Sequence, residues 1–199
     1  MYIDYLSNSR MNGARTGREY LTQDELAIIA KRELSSVRLN RVRDIFLFAC
    51  FTGLNYQDIK KLKGKNVITA MDGTHWLVLY VPMTSQPLNI PLSTNARQII
   101  DKYKVVEMDE LLPMPSIQKL NAYLKEVAAE CMLNRKLSFQ SARNTFIITI
   151  GIANDVPVLC LSKIMGFRDH ATTRSRISDR QINKAMSALS KKMATSFQD

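Results

Sequence analysis

The sequence predicts a mainly helical domain interrupted by a small three-stranded antiparallel sheet, and three observations carry that prediction. Apolar residues recur at i, i+3, i+4 and i+7 through most of the chain. The period shortens to that of strands only between residues 66 and 91. A chain of 199 residues, 46% of them hydrophobic, supports one core of ordinary size rather than two.

Residues 1–18 are polar and basic without a period and are read as a flexible tail or interdomain linker; the domain is placed over 19–199. Thr22-Gln-Asp-Glu25 fits a capping box, with Leu21 and Leu26 as its hydrophobic staple, so a helix is predicted over 23–34. Val42, Ile45, Phe46 and Ala49 predict a second helix from Leu39 to Cys50, stopped by Gly53. A short helix from Tyr56 to Leu62 would turn Ile59 and Leu62 inward and Lys60, Lys61 and Lys63 outward.

Strands are expected at Asn66–Ala70, Trp76–Val81 and Pro87–Pro91, the first two joined by a turn at Met71-Asp-Gly73, with Trp76 and Tyr80 anchoring the sheet. Ser93 or Thr94 caps the next helix, which holds Ala96, Ile99, Ile100 and Tyr103. An acidic loop with prolines leads to the clearest helical stripe: Ile117, Leu120, Leu124, Val127, Ala128 and Cys131. Further helices are expected at 141–151, at 157–165 behind Pro157, and at 180–195.

Composition narrows the function classes. Three widely spaced cysteines (Cys50, Cys131, Cys160) exclude a disulfide scaffold and a CxxC metal clip. Two histidines, His75 and His170, exclude a multi-histidine metal site; no metal and no cofactor is expected. Without a membrane-length apolar run or a signal peptide, the expected location is the cytoplasm. Charge is the unusual quantity: 28 Lys and Arg against 18 Asp and Glu give +10, and the pI is near 9.7. Eight of the basic residues lie between Lys163 and Lys192, beside only Asp169 and Asp179. That density fits a solvated face or a phosphate-binding face.

The order of elements carries a resemblance. The run FACFTGLNYQDIKKL (Phe48 to Leu62) is similar to a helix ending in Thr-Gly-Leu-Arg before a short helix. VPMTSQPLNIPL, ending at Leu92, is similar to a β-hairpin with Lys-Thr and then Ile-Pro-Leu. LSFQSARNT (Leu137 to Thr145) resembles a His-x-x-Arg box. LSKIMGFRDHATT (Leu161 to Thr173) resembles a Leu-Gly-His box with trailing threonines. These four boxes, in this order over about 20–195, resemble the catalytic domain of tyrosine recombinases (the phage integrase family), which has the DNA breaking-rejoining enzyme fold. The pattern most resembles integrases of mobile elements in Bacteroides-like bacteria.

What the resemblance implies is specific. In that family a tyrosine attacks a DNA phosphate, two arginines and a histidine hold the developing charge, and a hairpin lysine protonates the leaving oxygen. At the matching positions this chain has Asn55 for the first arginine, Met83 for the lysine and Gln140 for the histidine. Arg143 is retained. Phe167 stands at the third-box histidine and Arg176 at the nucleophile, and no tyrosine follows Tyr123. Met83 and Phe167 have no useful proton to give, and Arg176 cannot be a nucleophile but binds phosphate well.

The expectation is a catalytically degenerate domain, with no intact catalytic set, that still binds duplex DNA. The candidate contacts are Arg143, Gln140, Asn55, Thr84, Lys60, Lys61, Arg168, Arg174 and Arg176; surface roles for Arg174 and Arg176 stay open. Such a protein would be accessory to recombination, integration or mobilisation carried out by others. Two other classes stand beside it. One is an active recombinase with a nucleophile displaced to Ser175 or lent by a partner. The other is an interaction module that docks on another recombinase or mobilisation protein, or forms oligomers, through the C-terminal helix bearing Ile182 and Met193. The family usually has a core-binding domain ahead of this region, and there is little room for one before Leu21; the chain is either a fragment of something longer, the reading that the linker-like residues 1–18 favour, or half a clamp that stands alone.

Overall fold

A computed structural model of the chain describes residues 19–71, 73–80, 88–104, 110–157, 160, 161, 164 and 188. The elements are α1 (Gln23–Lys31), α2 (Val37–Thr52), α3 (Tyr56–Lys60), a 3-10 turn (Gly64–Asn66), β1 (Val67–Thr69), β2 (His75–Leu79), β3 (Leu88–Pro91), α4 (Thr94–Tyr103), α5 (Ile117–Glu130) and α6 (Phe139–Thr145). α6 runs on as a π-helical stretch (Phe146–Gly151) and a short 3-10 turn (Ile152–Asn154). The sheet order is β1-β2-β3, antiparallel throughout, with Leu77 opposite Val67 on one side and Ile90 on the other. The expected mainly helical fold with a small antiparallel sheet is what forms.

α2 is the central helix. Eleven of its sixteen residues are buried, Leu39 and the run from Asp44 to Thr52 among them, so it has no solvent face along its second half. α4, α5, α6 and the π-helical stretch all pack on it. Phe46, Phe48 and Phe146 are fully buried at the centre; burial of this kind contributes about 1.5–3 kcal/mol per side chain. One charge sits in the packing. Asp44, 4% exposed, accepts from Arg43 Nε at 2.9 Å, Lys102 Nζ at 2.6 Å and the Tyr103 hydroxyl at 2.7 Å. A buried carboxylate is tolerated only when so partnered, and the cluster ties α2 to α4. Burial, together with the bond to Asp44, pushes the Tyr103 phenol well above its ordinary range.

Local chemistry settles most boundaries. Thr22 and Glu25 form the expected capping box, and Leu21 and Leu26 are fully buried as its staple. Gly53, at φ 71°, ends α2 in the left-handed conformation that suits glycine. Gly73, at φ 79°, closes the β1–β2 turn by donating to Ala70 O at 3.0 Å. Ser93 caps α4 at Ala96 N, and Ser116 caps α5.

Five expectations need correction. The first helix ends at Lys31 rather than 34, because Arg32 turns extended and its carbonyl accepts from the Arg43 guanidinium. Ser36 then caps a second helix that starts two residues earlier than expected. Asn66 joins no strand: its side chain accepts from Lys63 N and donates to Val78 O, which bends it into the 3-10 turn. Lys63 is half-buried, and its backbone pairs with that of Glu110 in an isolated antiparallel β-bridge. Tyr80 is 81% exposed rather than packed into the sheet, whereas Trp76 is half-buried and donates to Thr74 Oγ1 at 2.7 Å.

The predicted helix at 141–151 starts at Phe139, where Ser138 and Ser141 cap each other reciprocally. It widens to a π-helical turn from Phe146. At 157–165, the amides of Cys160 and Leu161 donate to Pro157 O, consistent with a first turn at the proline. The tail at 1–18, the helix at 180–195 apart from Ala188, and the terminal basic cluster lie outside the described residues.

Candidate phosphate site

α6 is the helix that matters, and three neighbours place it. Asn121 of α5 accepts from Phe139 N at 2.8 Å. Tyr56 of α3 meets the Phe139 ring edge-on at 6.1 Å and donates to Pro115 O at 2.9 Å. The segment leading into α1 is strapped across the same helix: Leu21 N donates to Thr145 Oγ1 at 2.9 Å, Thr149 donates to Leu21 O, and Asn144 Nδ2 donates to Glu19 O at 3.2 Å. Arg135 joins this strap, donating to Tyr20 O at 2.8 Å and pairing with Glu25 at 2.8 Å.

On that helix Arg143 is half-buried and Gln140 exposed. Gln140 Nε2 lies 3.3 Å from Asn144 Oδ1, one turn on. Across from Arg143 stands α3. Asn55 is the N-cap of α3: its Oδ1 accepts from Asp58 N at 2.9 Å, and its Nδ2 donates to Asp58 Oδ2 at 2.6 Å. Both halves of its amide are thus engaged within α3. Asp58 lies within electrostatic reach of Arg143 and of Lys61, and Lys60 and Lys61 are exposed. The fold therefore brings Arg143, Asn55 and Lys61 together around Asp58, with Gln140 on the same helix as Arg143. Met83, Thr84, Phe167, Arg168, Arg174 and Arg176 lie outside the described residues. Among the described residues no group of three or more His, Cys, Asp or Glu side chains could hold a metal, no helix is long and apolar enough to cross a membrane, and the three cysteines are free and buried.

Asp58 was not among the residues singled out in the sequence. A signal was available, since Asn-x-x-Asp at a helix start is a capping pattern, but its closeness to Arg143 has no local signature. Burial raises the Asp58 carboxyl above its ordinary value of 3.8, against Arg143, Lys61 and the Asn55 bond, which pull it down. The folded chain thus holds this proton more tightly than the unfolded chain. Asp58's own contribution to stability is fully present below 3.8 and is lost as pH rises through the raised value. Asp58→Asn keeps an acceptor for Asn55 and removes the ionisation. In urea titrations from about pH 3.5 upward, the stability of the wild type relative to the variant should fall as pH rises; parallel profiles would contradict the assignment.

Comparison with known proteins gives the class of fold. No protein-family model matches the chain, and no curated protein does. Solved structures do. The XerA recombinase superposes with a TM-score of 0.60 at 16% identity, covering 90% of this chain and 65% of that one. The XerH site-specific recombinase bound to its difH substrate, in a pre-cleavage complex, gives 0.61 at 16% identity over 85% of this chain and 54% of that one. The integrase from mycobacterium phage Brujita gives 0.59 at 16% identity over 85% and 57%. The fold is that of a tyrosine-recombinase catalytic domain, and the chain spans between about half and two thirds of the length of these structures.

Proposed function

We propose that this chain is a duplex-DNA-binding protein with a catalytically degenerate recombinase fold, accessory to recombination, integration or mobilisation of a mobile element of the Bacteroides type. On this reading it works in the cytoplasm. The observation that carries the reading is the make-up of the site around Arg143. At the position where the resembled family has its first arginine, this chain has an asparagine whose amide is engaged at the start of α3, with Asp58 beside it. Asn55 carries no charge to oppose a pentacovalent phosphorane; Met83, Phe167 and Arg176 supply neither a proton donor nor a nucleophile. Removing one group of this kind typically costs about 3–4 kcal/mol of barrier. Arg143 still offers a planar fork that matches phosphate oxygens, and the net charge of +10 favours a polyanion. A phosphate can be held there, but nothing at these positions cuts beside it.

Two measurements test this. A nicked suicide duplex should give no covalent protein–DNA adduct on a denaturing gel; an adduct would favour an active strand transferase with a displaced or partner-supplied nucleophile. Duplex DNA should bind at about 50–100 mM salt and weaken steeply as salt rises. Failure to bind any duplex there would leave the interaction module as the better reading.

A further inference from the structure

The fold makes a groove of about 820 Å³ between the second half of α5, the α5–α6 connection and the start of α6. It adjoins the candidate phosphate site, because Gln140 and Asn144 line it too. Its cations differ in standing. Arg135 is committed to Glu25 and to Tyr20 O. Lys125 and Lys136 both line the groove and are exposed, with no ion pair to an acid among the described residues. Glu19, also exposed, is the one acid among the lining residues. The buried polar groups facing this space are Asn144 and Ser141, 6% and 5% exposed.

We propose that this groove is a second backbone subsite, in which Lys125 and Lys136 neutralise duplex phosphates beside the one held at Arg143 and Gln140. The inference rests on the DNA-binding reading above. Two features favour a nucleic-acid backbone over a free anion. The space is several times that of one phosphate group, and its two available cations are long, exposed side chains rather than a closed nest of donors. Lysines of this kind follow a polyanion as point charges, and they add affinity without reading sequence.

The test is a salt titration of duplex binding with the whole chain. For Lys125→Gln/Lys136→Gln, the slope of log K against log salt should become shallower by about 1.8, the value for two lost phosphate contacts. A control pair away from the groove, Lys31→Gln/Lys104→Gln, should leave the slope nearly unchanged. These are surface changes, expected to leave the melting temperature close to that of the wild type. If the wild type binds duplex and the groove variant keeps its slope, or the control loses as much, the subsite is wrong while the DNA reading stands. If the wild type binds no duplex, the broader reading fails first, and the subsite with it. Inorganic phosphate alone, titrated to millimolar concentration and followed by amide shifts, should not saturate at Lys125 and Lys136. Saturation there, with duplex affinity untouched in the variant, would make the groove a free-anion site and overturn the proposal.

Discussion

Gly53→Ala should lower the melting temperature by roughly 5–15 °C. Two costs fall on one atom. At φ 71° an L-residue pays about 1–2 kcal/mol for its backbone conformation. The added Cβ would also stand 2.5 Å from a ring carbon of Phe146, which is fully buried and cannot swing clear. Overpacking of this sort costs about 1–3 kcal/mol, so the total is about 2–5 kcal/mol against a usual stability of about 5–15. Gly73→Ala separates the two terms. Its φ of 79° is equally unsuited to alanine, but nothing lies within 4 Å of the new Cβ, so only the backbone cost should appear. Equal losses at Gly53 and Gly73 would mean that the Phe146 contact is unimportant. Phe146 follows directly on α6, so the Gly53 variant should also disturb the helix that carries Arg143.

Arg143→Gln should weaken duplex binding by roughly 10–100-fold, since charge-assisted hydrogen bonds contribute about 1.5–3 kcal/mol. The slope of log K against log salt should fall by about 0.9, one phosphate contact. Asp58→Asn should move affinity the other way. Removing a carboxylate that faces the same arginine relieves repulsion of the incoming phosphate, worth about 1 kcal/mol at low salt and less as screening increases. Fluorescence anisotropy on one duplex at several salt concentrations reads both variants. Loss of affinity in both would mean that the Arg143–Asp58 pairing is purely structural and that DNA lies elsewhere.

The candidate site was legible in part. The box around Arg143 and the one around Asn55 could be picked out by residue order alone, because each lies within a short run of chain. Asn at a helix start is a common cap, but the residue order around Asn55 does not by itself distinguish a cap of α3 from a phosphate contact. The strap of Glu19, Tyr20 and Leu21 across α6 left no pattern to find, since Thr145 and Thr149 read as ordinary helix residues. Lys125 and Lys136 carry no signal in the sequence, because one exposed lysine on a helix or loop looks like any other until the backbone folds a groove around it.

By itself the sequence determined what forms within a few residues: the capping box at Thr22, the stop at Gly53, the turn at Gly73, the caps at Ser93 and Ser116, and the alternation of helix with a small sheet. Such features are settled by hydrogen bonds and sterics between near neighbours, so the residues that decide them are adjacent in the chain. Only the tertiary structure decided that Thr145 holds Leu21 from 124 positions away, that α6 loosens into a π-helical turn, and that Arg143 comes to rest beside Asp58. Those outcomes depend on how α2 buries its apolar surface against α1, α4, α5 and α6 at once, a condition that no local stretch of residues encodes.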